Sequence, residues 1–593
     1  MSNIGFVRDI RTIKSKTFLT LVLNYEELEK IHLKLGEFVK LESGILLNNK
    51  KFYLGRVEKI YYNPVQNTNY SGDLALSKLN DEIIDGAAVK SINFLHYDIC
   101  ILGEINEKDN KILFFPSTRT IPSIVDLAIT QFKDEELEKI INASLDNNTI
   151  NKSKEFEIGF LQYGSEPKDI LKAKKTINIE NFIRKRTANL GKTGFGKSNE
   201  NKIIITLLSK MFPNLSMVIF DLDGEYAFAD NKSLSMGLYP AFKELGIEDK
   251  IVVYTDRKND MYVDNKSIKS FSMNFYKSPE IAIQMLYEKR VAEQKPANYI
   301  EAIYNDIDNI LNIPNRKAYL LAAFRKAGLK AGNDISVKYG NNYYKLEDEF
   351  AKYNNGSEDV ESLFNLLDKG DKSKDDNSNG NKDGNKDTST TMLYNKYSNI
   401  LSFLNKFHSS ANNEDIFKTI REDVRNNKIV ILDLPSISSY LYSTVSKKIA
   451  SEIFIEEQEL LLTGKNYDVI FLIEEAQDLL SNISEDNIWY KIAKRGRKHG
   501  IGLIYSTQTP KSIPDEILSQ TENFLIKHLS SSEDVDKLAK SKISFSAPIS
   551  EFILNEPIIG TTYIYMEPYQ PFVVSVNVKK FDDVVESLKN NKI

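Results

Sequence analysis

Residues 191–198 read Gly-Lys-Thr-Gly-Phe-Gly-Lys-Ser and satisfy GxxxxGK[ST], a spacing suited to cradling a polyphosphate. Glycine at Gly191, Gly194 and Gly196 lets backbone N–H groups turn toward phosphate oxygens with no Cβ in the way. Lys197 is then placed to reach the β and γ phosphates and the Ser198 hydroxyl to bind magnesium, so the expected cofactors are ATP and Mg2+. Lys192, Thr193, Phe195 and the following Asn199 complete the candidate nucleotide-binding set. A short strand, Thr187 to Leu190, must lead into this loop. A helix over NENKIIITLLSK must leave it, because the anion is held at a helix N-terminus.

A second cluster lies in DVIFLIEEAQDLL, residues 468–480, where the apolar run Val469 to Ile473 ends in two adjacent carboxylates. Glu474 is the candidate magnesium ligand. Glu475 is the candidate group that orients the attacking water or takes its proton. Strands that end in solvated acids are common, and it is the phosphate loop elsewhere in the chain that favours a hydrolytic role. A third cluster, KIAKRGRKHGIGLIYSTQTP at 491–510, carries Lys494, Arg495, Arg497 and Lys498 just before a buried strand, with Gln508 just past its end. Arg495 and Arg497 are candidates for a guanidinium donated to a neighbouring subunit's nucleotide, and Gln508 for sensing the γ-phosphate or the water. A basic, solvated helix end is the plainer reading of the same residues. In MVIFDLDGEYAF, residues 217–228, Asp221, Asp223 and Glu225 either tie the magnesium region to a neighbouring subunit or cap a turn; the sequence leaves both open.

The elements that must position these groups are short, nearly all-apolar strands at Thr187–Leu190, Met217–Phe220, Ile251–Tyr254, Ile429–Leu432, Val469–Ile473 and Gly502–Ser506. Alternating with amphipathic segments, they predict a parallel sheet covered by helices. The gap after the third strand is too long for an ordinary crossover, so 257–427 reads as a helical insertion. Within it 368–391 has no apolar residue and is expected as a disordered loop. Ahead of the core, residues 1–145 hold short runs rich in Val, Ile, Phe and Tyr. They suggest a small antiparallel barrel with a bulge at Gly55. The core itself is expected over 146–256 and 428–550. Residues 551–593 read as a closing hairpin, from Ile558–Met566 and Phe572–Val578, and a short helix or tail.

Bulk properties narrow the function. A chain of 593 residues is too long for one core. A formal net charge of -5 rules out a generally basic surface, so any nucleic-acid contact must be local. One cysteine excludes an internal disulfide framework, and the five scattered histidines show no zinc-ligand spacing. There is no stretch of about 18 apolar residues to span a bilayer. The expectation is a cytoplasmic protein with no membrane partner.

Taken in chain order, RTANLGKTGFGKSN, FDLDGEY, IVILDLPSI, FLIEEAQ and RGRKHGIGLIYSTQTP resemble the HerA branch of the HerA and FtsK translocase superfamily. The N-terminal strands, the helices inserted in the core and the NEPIIGTTYIY region are similar too, so the likeness covers most of the chain. It implies an α/β fold: a RecA-like P-loop ATPase core with an N-terminal small β-barrel, a helical insertion and a C-terminal hairpin or brace. It also implies a homohexamer whose central pore moves double-stranded DNA by ATP hydrolysis, paired with an effector protein. Gln477 and Thr187 stand where the family often has histidines, and Lys494 where an arginine is frequent. These departures suggest a divergent branch, such as the HerA-like ATPases of bacterial antiphage systems that accompany a nuclease or a sirtuin-like NAD hydrolase. The alternative to a DNA translocase or helicase is a nucleotide-gated ring scaffold that assembles and activates an effector. The two part on DNA, because a motor must show DNA-stimulated hydrolysis that weakens with salt.

Overall fold

The computed structural model describes residues 6–13, 16–23, 32–43, 51–62, 95–108, 111–116, 122, 127–143, 154–228, 235–257, 266–295, 298–355, 362–372, 388–396, 398–410, 415–435, 437, 439–464, 467–481, 483–568 and 570–590. In chain order the strands begin with β1 (Phe6–Ile13), β2 (Lys16–Leu23), β3 (Phe38–Ser43), β4 (Lys51–Tyr62), β5 (Leu95–Lys108), β6 (Lys111–Phe115) and β7 (Leu127–Gln131). Next come β8 (Glu155–Gln162), β9 (Ile170–Asn178), β10 (Arg186–Leu190), β11 (Leu215–Asp221), β12 (Ile251–Thr255), β13 (Ile268–Ser270) and β14 (Ser336–Tyr339). The rest are β15 (Asn342–Lys345), β16 (Ile429–Asp433), β17 (Asp468–Ile473), β18 (Ile501–Thr507), β19 (Asn523–Ile526), β20 (Thr561–Met566) and β21 (Gln570–Val578). The chain divides into one unit of Met1–Pro213, Glu475–Asp486 and Tyr490–Ile593, and another of Asn214–Glu474 and Asn487–Trp489. This division does not follow the expected boundaries, for it falls inside the ATPase core.

In the first unit β1–β7 form an antiparallel sheet in the order β1-β2-β5-β4-β3-β7, with β6 on β5. Alternate residues such as Leu19, Leu21, Val39, Leu41, Tyr53, Val57 and Ile99 point into one shared core, as the period of two requires. The expected bulge is present: the β4–β5 register shifts between Leu54 and Gly55. A Cβ on Gly55 would lie 2.7 Å from Ile99. Among the described residues no pairing joins β1 to β7, so the expected barrel is seen as an open path of strands.

The same unit holds the run β18-β10-β19-β20-β21-β8-β9. β10 is flanked by parallel neighbours on both sides, β18 and β19. From β19 outward the pairing is antiparallel through β20, β21, β8 and β9. The C-terminal runs therefore do form a hairpin, β20–β21, built into this sheet. The final run is the helix Phe581–Lys589. Helix Lys197–Met211 leaves β10 with Ile203, Ile204, Ile205, Leu207 and Leu208 all buried, an apolar girth that only an enclosed helix can carry.

In the second unit β13-β12-β16-β11-β17 are all parallel. Residues Val218 to Phe220, Ile429 to Ile431 and Val469 to Phe471 are no more than 1% exposed, which explains their unbroken apolar character. Trp489 stands edge-on to Phe220 and Phe471 at 5.5 and 5.6 Å. The segment expected as an insertion is mostly helical, but its ends join the sheet layer. β13 pairs with β12, and helix Ile416–Arg425 takes the Ser216 hydroxyl on its Val424 carbonyl at 2.6 Å.

The expected loop 368–391 is helical at both ends, in Leu363–Lys372 and Thr388–Lys396. Asp368 is the reason at one end: its carboxylate accepts from the Tyr353 and Tyr394 hydroxyls, each at 3.1 Å, and faces Lys326. Residues 373–387 lie outside the described set. Among the described residues no helix is long and apolar enough to cross a membrane.

Candidate active site

The phosphate loop takes the backbone its glycines allow. Gly194 and Gly196 have φ of 85° and 99°, where a Cβ would meet open space, so glycine serves the conformation and not the room. Gly196 caps the following helix. The loop is pinned at its base: Gly191 N–H donates to the Thr507 carbonyl at 3.2 Å and Lys192 N–H to the His528 carbonyl at 3.0 Å. Lys197 is buried and its ammonium donates back to the Gly191 carbonyl at 2.8 Å, across the loop. Ser198 is half-buried in the first turn. Lys192 and Thr193 are exposed, and the Phe195 ring lies 5.1 Å from that of His528.

Beneath the loop runs a polar network in which Asn189, Glu200, Asn201, Ser506 and Lys527 are all 1% exposed or less. Asn189 donates to the Lys197 carbonyl at 3.1 Å and to Asn201 at 2.8 Å, and Asn201 donates to Ser506 at 2.9 Å. The Lys527 ammonium donates to Asn189 at 2.6 Å and forms an ion pair with the Glu200 carboxylate. A Cβ on Gly191 would sit 2.7 Å from that of Lys527, so glycine is needed here for close approach. Buried charges of this kind persist only when paired and hydrogen-bonded, as these are.

Leu190, the last residue of β10, stands opposite Thr507, the last of β18, in the parallel register. Gln508 is one residue further on. Its amide donates to Glu475 Oε1 at 3.1 Å, while the Gln477 amide donates to Glu475 Oε2 at 2.5 Å. The main chain fixes the same point: Ala476 N–H donates to the Ser506 carbonyl at 2.8 Å, and Glu475 itself has φ of 45°. A left-handed glutamate costs about 1–2 kcal/mol, a strain of the sort retained where side-chain direction matters. The phosphate loop, Glu475 and Gln508 thus come together within one unit.

Glu474 belongs to the other unit, where its buried carboxylate accepts from the Tyr226 hydroxyl and its carbonyl accepts from the Tyr442 hydroxyl at 3.2 Å. Tyr226 is held in turn by Asp221, which accepts the N–H groups of Glu225 and Tyr226 at 2.9 Å each. Of the two sequence readings of Asp221, turn capping is the one its contacts match. Burial, with the charges of Asp433 and Glu474 nearby, pushes its carboxyl up to about 7 against the pull of those N–H donors. Asp433 is bound by Thr255 at 2.6 Å and by the Arg257 guanidinium at 2.8 Å. Asp223 is exposed.

Arg495, Arg497, Lys494 and Lys498 are exposed at the end of helix Ile488–Arg495 and just beyond it. Arg497 lies 3.6 Å from Glu522, which is already gripped by Arg186 at 2.7 Å. Asn199, expected in the nucleotide-binding set, also bonds the C-terminal segment. Its side chain accepts from Phe581 N–H at 2.7 Å and donates to the Lys579 carbonyl at 3.0 Å, so it caps the C-terminal helix. The basic helix residues Arg325 and Lys326 are matched by Glu347 and Asp368. Sequence reasoning missed the Lys527–Glu200 pair and the roles of Asn189, Gln477 and Tyr226. A signal existed for two of them: Asn189 interrupts an apolar strand, and Lys527 directly follows one.

A family profile described as Helicase HerA, central domain, matches residues 156–453. The DNA double-strand break repair helicase HerA of Sulfurisphaera tokodaii is 23% identical over 377 residues, which cover 63% of this chain and 60% of that protein. A probable helicase of Methanocaldococcus jannaschii is 23% identical over 602 residues, 96% of each chain. Among solved structures, the bacterial conjugative coupling protein TrwBdeltaN70 is 12% identical, with 73% of this chain and 90% of that chain covered, at a TM-score of 0.39.

Proposed function

The chain belongs to the HerA helicase central-domain family, and from that premise we propose that it is an ATP-hydrolysing motor acting on double-stranded DNA as a homohexamer. The observation that carries the reading is the register that sets Gln508, with Glu475 bonded to it, beside the strand feeding the phosphate loop. Backbone N–H groups of Thr193 to Ser198 bind the phosphates, and Lys197 exchanges the Gly191 carbonyl for a phosphate oxygen. Glu475 accepts the proton of the attacking water and Gln508 orients that water.

Among the described residues there is no closed group of His, Cys, Asp or Glu to hold a metal. Magnesium keeps most of its waters and is carried in by the nucleotide. Ser198 would hold it at the helix start, where it neutralises phosphate charge.

Exposed Arg495 and Arg497 suit a guanidinium that serves the next subunit. The chain spans 60% of the length of the Sulfurisphaera relative, whose printed name is that of a repair helicase, and duplex DNA enters here by that likeness. Steady-state ATP hydrolysis is the test, measured for wild type and Lys197→Ala with and without duplex DNA at rising salt. The expected result is turnover absent in Lys197→Ala, and turnover in wild type raised by DNA at low salt and less so at high salt. Unchanged turnover in Lys197→Ala would remove the nucleotide assignment. Turnover indifferent to DNA would favour the ring scaffold that organises an effector.

A further inference from the structure

We propose that Gln477 is a positioning residue for Glu475, fixed by a hydrogen-bond relay of defined direction; the proposal rests on Glu475 being the residue that activates water. The relay starts from a donor that cannot reverse, the Thr509 backbone N–H, which gives its proton to Thr507 Oγ1 at 3.1 Å. Thr507, accepting there, turns its own proton to Gln477 Oε1 at 2.6 Å, shorter than its 3.5 Å approach to the Thr509 hydroxyl. A carboxylate can only accept, and this fixes which end of the Gln477 amide is nitrogen. Nε2 must then face Glu475, where it donates to Oε2 at 2.5 Å.

The outcome is a carboxylate held on both oxygens, by Gln477 on one and Gln508 on the other, over a left-handed main chain. Each oxygen of a carboxylate accepts about two hydrogen bonds, so one direction on each is left for water, and rotation about the terminal bond is blocked. Thr507 is fully buried, while Gln477, Glu475 and Gln508 are half-buried at the strand ends. The relay thus passes through a buried hydroxyl at the end of β18 to reach the acting carboxylate. A glutamine suits the task because it offers an acceptor and a donor on one rigid plane and carries no charge that would compete for the proton.

The test uses the full chain and five variants, with kcat and KM for ATP measured separately. Gln477→Met keeps the length of the side chain and removes both bonds. It is expected to lower kcat about tenfold to a hundredfold with KM within about twofold of wild type, the signature of a displaced catalytic group. Thr507→Val breaks the relay one step back and is expected to lower kcat in the same sense, with Thr507→Ser restoring it. The double variant of Gln477→Met and Thr507→Val should be no slower than Gln477→Met alone, because the two act through one path. The threonine pair carries the test if Gln477→Met does not fold.

Wild-type kcat in Gln477→Met or in Thr507→Val, or a change confined to KM, would overturn the proposal. Glu475→Gln is the control that separates the two levels. If it is inactive while the relay variants turn over normally, only the positioning role falls. If Glu475→Gln turns over normally, the assignment of Glu475 falls and the relay with it.

Discussion

Asp221 shows how far a single residue can depart from its ordinary chemistry when three carboxylates crowd one buried corner. In an unfolded chain its carboxyl titrates at about 3.9. In the fold, burial beside Asp433 and Glu474 pushes it up to about 7, so between those values the folded state holds a proton that the unfolded state has lost. Stability from this group is complete below about pH 4 and is lost as pH rises through 7. Asp221→Asn should therefore flatten the fall in Tm between about pH 4 and pH 7, and an unaltered slope would show that the proton sits elsewhere.

At this scale the sequence was most legible where chemistry imposes spacing. The glycines, Lys197, Glu475 and Gln508 could be placed because a phosphate loop and a strand-end acid admit few arrangements. Asn199 has a use that its spacing could not show. Its spacing from Lys197 placed it with the nucleotide set, but nothing local could reveal that the C-terminal helix arrives to use its amide.

Among the elements, β10 and its helix depend on a pairing that only the folded sheet creates. Lys527 closes β19 and reaches Glu200 one turn into the helix, with both groups sealed from water. Removing one partner strands the other as a buried charge, at a cost of about 3–5 kcal/mol. Lys527→Met should thus lower the Tm sharply, whereas Lys527→Met combined with Glu200→Leu should recover most of the loss. A double variant no more stable than the single would mean that the pair is not the source of the cost.

The six apolar runs expected as parallel strands all appear as such runs of sheet, because burial on both faces leaves a plain signal. β13 did not announce itself, since three residues carry no periodicity. The ends of the expected loop were hidden for another reason: Asp368 reads as loop composition, yet two tyrosines and a lysine give its carboxylate a structural use.

On the scale of the whole molecule, the exposure of Arg495 and Arg497 is the feature that looks outward from the chain. If either serves the nucleotide of the next subunit, mixing Arg495→Ala or Arg497→Ala chains with Lys197→Ala chains should restore part of the ATP hydrolysis that each lacks alone. No recovery in any mixture would confine both arginines to their own chain. With a net charge of only -5 spread over 593 residues, sequence composition could exclude a broadly basic surface but could not locate a DNA path.

ATP held by Gly191–Ser198 is proposed to be hydrolysed through Glu475. Single-turnover hydrolysis by Glu475→Gln beside wild type, with ATP affinity measured on the same samples, tests it most directly. Affinity is expected to stay within about threefold and the rate to fall by about 10²-fold or more. Hydrolysis at the wild-type rate by Glu475→Gln would contradict it.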